Sequence, residues 1–423
     1  MERTASESGY ARSAVSASMM GYMLDGLDTM VLSLTLSAIG LTFALTSGQE
    51  GLIGLVLDLG MVVGGYAFGI LSDYFGRVRT FTYSILIYSI FTAMTAVSVN
   101  YSMVLVTRFL SGVGTGAEYG IGMTLMAESF RNKWRGIGSA VVSLSWTGGV
   151  ILATLASFFL IPLFGWRSLY VIGILPALLA VFVRFKLPES PMWKRQNELK
   201  KSARQKLAKG EELTNDERAI IEKSKGFSLT SLFNRRVLKI TIVLLAISCI
   251  AEIGYWGAMT WLPSALMTEY HISFTKTIYI LLATDFSTIG GIILFGFIGD
   301  YIGRRVAVSL GFVGVTIAAI LFATARTIPA IIAGTMLLGF FIDSFFGLFG
   351  ALFSEHYFTQ QRSTAVNFLM NTGRGVGGLG PLGIGLLAPV FKISGVIGMF
   401  AILFIIGAGI IWIIPETRAK IIQ

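Results

Sequence analysis

A spacing of 227 residues recurs along this chain and pairs residues that hydrophobic composition cannot explain. Asp25 repeats as Glu252, Asp58 as Asp285, Asp73 as Asp300 and Arg77 as Arg304. Farther on, Glu128 repeats as Glu355, Arg135 as Arg362, Pro188 as Pro415 and Glu189 as Glu416. A fixed offset held by charges and prolines over nearly the whole length marks a duplication, and both copies run in the same direction. If each copy contains an even number of membrane spans, an axis along the membrane normal relates the two.

Composition fixes the solvent. Of 423 residues, 54% are hydrophobic and only 13% charged, and the apolar runs reach about 20 residues, enough to cross roughly 30 Å of hydrocarbon as helix. The pattern predicts an all-α integral membrane protein with twelve transmembrane helices. They fall near residues 17–41, 49–72, 78–98, 101–125, 136–160, 166–186, 237–262, 275–298, 304–324, 328–352, 362–388 and 394–414. These divide into a six-helix half over 1–186, a cytosolic basic linker over 187–236 and a second six-helix half over 237–423.

The net charge of +10 reports topology rather than an affinity for nucleic acid. All 33 Lys and Arg fall in the termini, the loops after even-numbered spans or the bordering span ends, except Arg167, Lys276, Arg326, Lys392, Arg108 and Arg374. The positive-inside rule then puts both termini in the cytoplasm of a cell-membrane protein. The polar first sixteen residues hold no short cleavable apolar segment, so the first span is expected to act as the insertion signal. A lone Cys249 excludes an intramolecular disulfide framework. The linker carries a capping-box pattern from Thr214 to Glu217, which predicts short amphipathic helices along the inner face.

The most specific local signal is Gly69-Ile-Leu-Ser-Asp73-Tyr-Phe-Gly76-Arg77, repeated as Gly296-Phe-Ile-Gly-Asp300-Tyr-Ile-Gly303-Arg304. Glycine permits close helix approach and a turn with positive φ, Asp can cap a helix, and Arg can bridge to an acid. These residues resemble the signature of the major facilitator superfamily, and the resemblance covers essentially the whole chain. Span 1 reads Leu24-Asp25-Gly26-Leu27-Asp28-Thr29, span 4 runs from Arg108 through Gly112, Gly114 and Gly116 to Glu118-Tyr119-Gly120, and span 6 ends in Pro188-Glu189-Ser190-Pro191. Together these are similar to the sialate:proton symporters, whose relatives include lactate permeases and, more distantly, aromatic-acid and sugar:proton symporters. The resemblance implies a transporter rather than an enzyme, with a proton as coupling ion, no cofactor and no metal, working as a monomer in contact with lipid.

Charges within the spans are where function is expected, because an unpaired ion in hydrocarbon costs several kcal/mol. Asp25 and Asp28 share one face of span 1. In related sugar symporters an acid of span 1 pairs with the arginine that opens the span 4 motif; Asp28 and Arg108 match that pattern, and the resemblance implies proton coupling there. The same pair can equally be a permanent salt bridge between spans 1 and 4. Asp58, Glu118, Glu252, Asp285 and Asp343 are candidate cavity acids. With only His271 and His356 present, both near membrane borders, any proton path is carboxylate-based. Arg374, in the glycine-rich Asn371-Thr-Gly373-Arg374 run, can grip a substrate carboxylate bidentately or be satisfied by Asp343 or Asp285. Tyr255 and Trp256, with Trp261, can stack on a substrate ring or simply pack.

The resemblance gives the inner-face charges another role. Glu128, Arg135, Glu355 and Arg362, with Asp73, Arg77, Asp300 and Arg304 of the signature loops, are implied as a cytoplasmic gate that joins the halves by salt bridges, Glu128 to Arg362 and Glu355 to Arg135. Pairing within one half is equally allowed by the sequence. The expectation is proton-coupled uptake of a small organic anion, a sialic or other sugar acid. A monocarboxylate or aromatic-acid symporter, a neutral sugar or polyol symporter, and a non-transporting nutrient sensor are the alternatives.

Overall fold

The structure is a computed structural model that describes residues 5–118, 121–122, 135–178, 188–189, 191–209, 212–214, 232–235, 237–357 and 359–417. Its helices are α1 (Ala5–Phe43), α2 (Ser47–Phe75), α3 (Arg77–Ala96), α4 (Tyr101–Thr115), α5 (Arg135–Phe164), α6 (Arg167–Ile172) and α7 (Pro191–Lys209). The second series is α8 (Leu238–Thr268), α9 (Phe274–Tyr301), α10 (Arg304–Thr324), α11 (Ile328–Ile342), α12 (Phe346–Glu355), α13 (Thr359–Gly377), α14 (Leu379–Phe391) and α15 (Ile393–Ile410). Among the described residues there is no strand, and nine segments are long and apolar enough to cross a membrane. The predicted spans 101–125 and 166–186 run beyond the described residues. Span 78–98 is helical, but α3 is rich in buried hydroxyls, among them Thr80, Thr82, Ser84, Ser89, Thr92 and Thr95.

The repeat offset reappears in the backbone. Helices α4 and α11 share their length and stand 227 residues apart, and both stop at the same repeat position, Gly116 in one and Asp343 in the other. Spans 10 and 11, expected to be continuous, are each two helices: α11 and α12 break at Asp343–Phe345, and α13 and α14 break at Gly378. Broken spans free backbone groups at depth, an arrangement tolerated where protein or a cavity surrounds them.

Both signature loops turn on a glycine with positive φ, Gly76 at 108° and Gly303 at 131°, a region that side chains with a Cβ rarely enter. The expected capping aspartate does not cap. Asp300 pairs instead with Arg304 at 2.6 Å, and the cap comes from far along the chain. Glu416 accepts from the backbone N–H of Arg304 at 2.9 Å and of Arg305 at 3.0 Å. Its repeat mate Glu189 accepts from Arg77 at 2.8 Å and Val78 at 3.1 Å. A carboxylate on the orphan N–H groups of a helix start also meets the positive end of the helix dipole. These contacts explain why the Pro-Glu pair repeats.

Packing within and between the repeats depends on backbone approach. In α2 a Cβ at Gly64 would lie 1.9 Å from the Val113 carbonyl oxygen, and at the mate Gly291 in α9 it would lie 1.8 Å from that of Phe340. Small residues that let backbones touch are how helices associate where lipid removes the hydrophobic drive. At the end of the bundle away from the chain termini, α1 and α8 meet on the pseudo-symmetry axis, where the repeat mates Ser37 and Ser264 share a hydrogen bond of 2.7 Å. Phe158 of α5 lies 5.9 Å from Tyr279 of α9 nearby.

The Thr214–Glu217 pattern extends outside the described residues, while α7 forms a Lys-rich helix between the repeats. Replacing Glu189 or Glu416 with Ala is expected to remove about 1.5–3 kcal/mol, the usual worth of hydrogen bonds to a charged group. The thermal unfolding midpoint in detergent checks this, with Gln in place of Ala retaining part of the effect. An unchanged midpoint for both Ala variants would show that the caps do not hold the signature turns.

Candidate functional site

Arg374 is placed by the glycines around it. Helix α13 passes between α2 of the first repeat and α8 of its own, and the run Gly373 to Gly380 lets it touch both. A Cβ at Gly373 would collide with Ser248 Oγ at 2.2 Å, and one at Gly375 with Val62 at 2.5 Å. At Gly377 it would meet the Glu252 β-carbon at 2.9 Å, and at Gly378 the Asp58 β-carbon at 3.1 Å. Two hydrogen bonds fix the passage: Tyr66 with Thr372 across the repeats at 3.0 Å, and Ser248 to the Leu369 carbonyl at 2.9 Å. The glycine break therefore brings a guanidinium from α13 to mid-depth within electrostatic reach of Asp25 on α1, Asp58 on α2 and Glu252 on α8.

A cavity opens beside it, lined from both repeats. Its aromatic wall is continuous. Tyr22 lies 5.1 Å from Trp146, Trp146 6.4 Å from Trp256, Trp256 5.0 Å from Tyr255, and Tyr255 5.4 Å from Phe346. The polar lining comprises Arg374, Glu252, Asp343 and Thr147, and Thr147 is the repeat mate of Arg374. Trp256 Nε1 is buried in this lining and directed at the Glu252 carboxylate. An aromatic slot with one cation can hold a flat or ring-bearing molecule that ends in a carboxylate.

Asp28 and Arg108 come together as expected, but away from the cavity. Their oxygen and nitrogen are 3.8 Å apart, and both side chains are buried. Asp28 also accepts from Thr92 on one oxygen and from Ser111 on the other at 3.0 Å. Arg108 donates to Thr95 at 3.1 Å and Thr92 at 3.0 Å, and its guanidinium lies 4.8 Å from the Tyr170 ring centroid. Arg108 has no accessible surface, whereas Arg374 keeps 7% and lines the cavity. Asp25, one turn from Asp28 and bonded to Thr29 at 3.4 Å, faces the Arg374 side. The hydroxyls of α3 that complete the Asp28 network carry no sequence signal beyond their number.

The remaining candidates scatter. Glu118 stays within the first repeat, accepting from Ser84 at 2.7 Å. Asp285 lies beside Thr154 of α5 and within electrostatic reach of Asp343. Asn371 is off the cavity; its Nδ2 donates to the Asn367 carbonyl at 2.9 Å and its Oδ1 lies against Gly65. Trp261 packs rather than stacks, donating to the Pro381 carbonyl at 3.0 Å. Of the gate residues, Glu355 binds Arg304 at 3.4 Å and Thr417 at 2.6 Å, all within the second repeat. Arg77 donates to Ser72 at 2.9 Å. Glu128 and the side chains of Asp73, Arg135 and Arg362 lie outside the described residues.

Comparison with known proteins places this architecture. The family model described as Major Facilitator Superfamily matches residues 18–291 and 244–422. The cis,cis-muconate transport protein of Acinetobacter baylyi is 31% identical over 92% of this chain and 90% of its own. A sialic acid transporter of Escherichia coli is 27% identical over 93% and 90%. A crystal structure of a D-xylose-proton symporter superposes with a TM-score of 0.79, covering 97% of this chain and 99% of that one at 18% identity. That likeness speaks for the fold alone. The chain is an all-α, multi-pass membrane protein that belongs to the Major Facilitator Superfamily of transporters.

Proposed function

We propose that this transporter takes up a small organic anion together with protons, by rocking its two repeats about the central cavity. The observation that carries the reading is Arg374, a cation at mid-depth that lines an aromatic cavity formed by both repeats. A fixed guanidinium there suits an anionic substrate, since its fork matches a carboxylate. The sequence resemblance favours a sialic or other sugar acid, and the sialic acid relative supports that choice. The unbroken aromatic wall, together with the muconate relative, favours a second reading, a planar unsaturated or aromatic acid. Proton coupling is assigned to the acids of α1, with Asp28 tuned by Arg108 and Asp25 as the other member. Charge distribution supports termini on the cytoplasmic side of the cell membrane. Because one chain supplies every wall of the cavity, a monomer suffices.

A thermal-shift screen of the purified protein against sialic acids, cis,cis-muconate, benzoates, lactate and neutral sugars tests the substrate class, since a ligand stabilises the state it binds by RT ln(1 + [L]/Kd). Stabilisation by neutral sugars alone would remove the anion reading. Binding without any uptake of radiolabelled ligand into vesicles would identify a sensor.

Arg374→Lys is expected to weaken acid binding at least tenfold, about 1.4 kcal/mol, while keeping the charge, because an ammonium cannot reproduce the bidentate fork. Titration calorimetry checks it. Equal affinity of the unaltered protein for an acid and its amide would count against the assignment.

Asp28→Asn is expected to bind substrate and exchange it across a vesicle membrane, yet fail to accumulate it under an imposed pH gradient. Asp25→Asn is measured alongside. Normal accumulation in Asp28→Asn with loss in Asp25→Asn would transfer the coupling role to Asp25. Uptake by the unaltered protein that survives an uncoupler would exclude the proton.

A further inference from the structure

Residues 414–417, which follow α15 and a short 3-10 turn over Ile411–Ile413, form a strap that is gripped at every position. The Ile414 carbonyl accepts from the Arg305 guanidinium at 2.8 Å, and the Pro415 carbonyl faces His356 Nε2 at 3.2 Å. Glu416 caps the start of α10 through the backbone N–H groups of Arg304 and Arg305. The Thr417 hydroxyl donates to Glu355 at 2.6 Å. Glu355 and His356 are the last residue and the C-cap of α12, so the end of α12 holds the strap with two adjacent side chains. This cluster lies at the end of the bundle that carries the chain termini.

The His356 ring is bonded to an acceptor on both sides. Its Nδ1 lies 2.8 Å from the Leu352 carbonyl of its own helix, and its Nε2 faces the Pro415 carbonyl. A backbone carbonyl can only accept, whereas a neutral imidazole carries one N–H and one lone pair. Whichever tautomer the neutral ring adopts, one of the two contacts sets a nitrogen lone pair against a carbonyl oxygen. The imidazolium, with two N–H groups, satisfies both. The helix end acts in the same direction, because Leu352 belongs to the last turn of α12, where carbonyls without an intrahelical partner carry the negative end of the dipole.

The surrounding charges leave a place for that cation. Glu355 neighbours the ring on α12, Glu416 comes from the strap, Arg304 and Arg305 from α10, and Asp300 from α9. Asp300 and Glu355 both bind Arg304, and Glu416 pairs with Arg305 at 3.7 Å. Three carboxylates therefore face two guanidinia, and one further positive charge balances the cluster. Tyr357 turns to Thr241 of α8 at 2.9 Å. The repeat mate of His356 is Ser129, and the chain's other histidine, His271, follows α8 at the opposite end.

We propose that His356 is a proton-operated clasp: the charged ring ties the end of α12 to the strap at 414–417, and loss of one proton breaks one of its two ties. This proton is a regulator and not cargo, since the clasp stands apart from the cavity. Glu355 is held by the same strap, so the closed clasp keeps that acid, and the signature turn capped by Glu416, within the second repeat. Acid on the side of the chain termini stabilises this arrangement and alkali loosens it, because the closed form binds one proton more than the open one.

Amide hydrogen exchange reads the clasp without any substrate. The reporters are the N–H groups of Arg304 and Arg305 that Glu416 caps, and that of Thr417, bonded to Glu416 at 2.9 Å. Purified protein in detergent is compared at about pH 6 and about pH 8, a range in which histidine changes charge, with rates corrected for the intrinsic effect of pH. Exchange at these amides is expected to speed up severalfold, with a ceiling of about tenfold per pH unit for one proton. His356→Gln, which cannot gain a proton, is expected to exchange at the fast rate at both pH values, and His271→Gln to behave like the unaltered protein. Nitrogen NMR of labelled histidine rings gives a second reading that needs no change at position 356. In His271→Gln the remaining ring is expected to carry hydrogen on both nitrogens where exchange is slow and on one where it is fast. Exchange independent of pH in the unaltered protein overturns the proposal. So does a pH dependence that survives in His356→Gln or vanishes in His271→Gln, or a His356 ring whose protonation does not change in step with exchange.

Discussion

Hydrocarbon does not solvate ions, so a charged side chain at mid-depth needs an opposite charge, a set of hydrogen bonds or a wet cavity. The acids and arginines of this bundle divide along those lines. Asp28 and Arg108 are answered by hydroxyls of α3 and α4 and by the Tyr170 ring, deep within one repeat. Arg374 is answered by acids from three helices at the edge of a cavity. The first arrangement lies off the cavity and the second lines it. Much of the rest of the structure serves to hold these two centres at fixed positions across the repeat boundary.

Duplication supplies the scaffold, and divergence supplies the chemistry. The repeat mates Glu189 and Glu416 cap the same helix starts, Gly76 and Gly303 make the same turn, and Ser37 meets Ser264 on the axis itself. The two buried arginines have no such mates. Thr335 stands where Arg108 would repeat and uses its hydroxyl only on the Ile331 carbonyl, while Thr147 stands opposite Arg374 in the cavity. A symmetric pair of arginines would draw a dianion or repel one another. A single arginine with a threonine opposite gives the cavity a charged pole and a neutral one.

Glycine determines where those poles lie. The ladder from Gly373 to Gly380 lets α13 and α14 run against α2 and α8 at backbone distance, and it also breaks the span one turn past Arg374. The same residues therefore bring Glu252 of α8 and Asp58 of α2 against the helix that carries Arg374. Close contact between α2 and α14 continues to the end of the bundle, where Gly51 meets the Pro381 carbonyl and Gly385 meets that of Ser47.

The duplication, the helical class, the membrane as solvent and the identity of the buried charges were all determined by the sequence. Each leaves a one-dimensional trace: a constant offset, apolar runs of spanning length, and ions in places where ions are costly. The Pro-Glu repeats were visible too, though not their purpose, since capping joins residues 112 apart in sequence. Only the tertiary structure decided that Arg374 sits with Asp25, Asp58 and Glu252 rather than with Asp343 or Asp285 alone, that Glu355 turns to Arg304, and that Asn371 and Trp261 leave the cavity. Spacing along one helix fixes a face, but which helix that face meets depends on how the glycines let backbones approach, and that is settled among several spans at once.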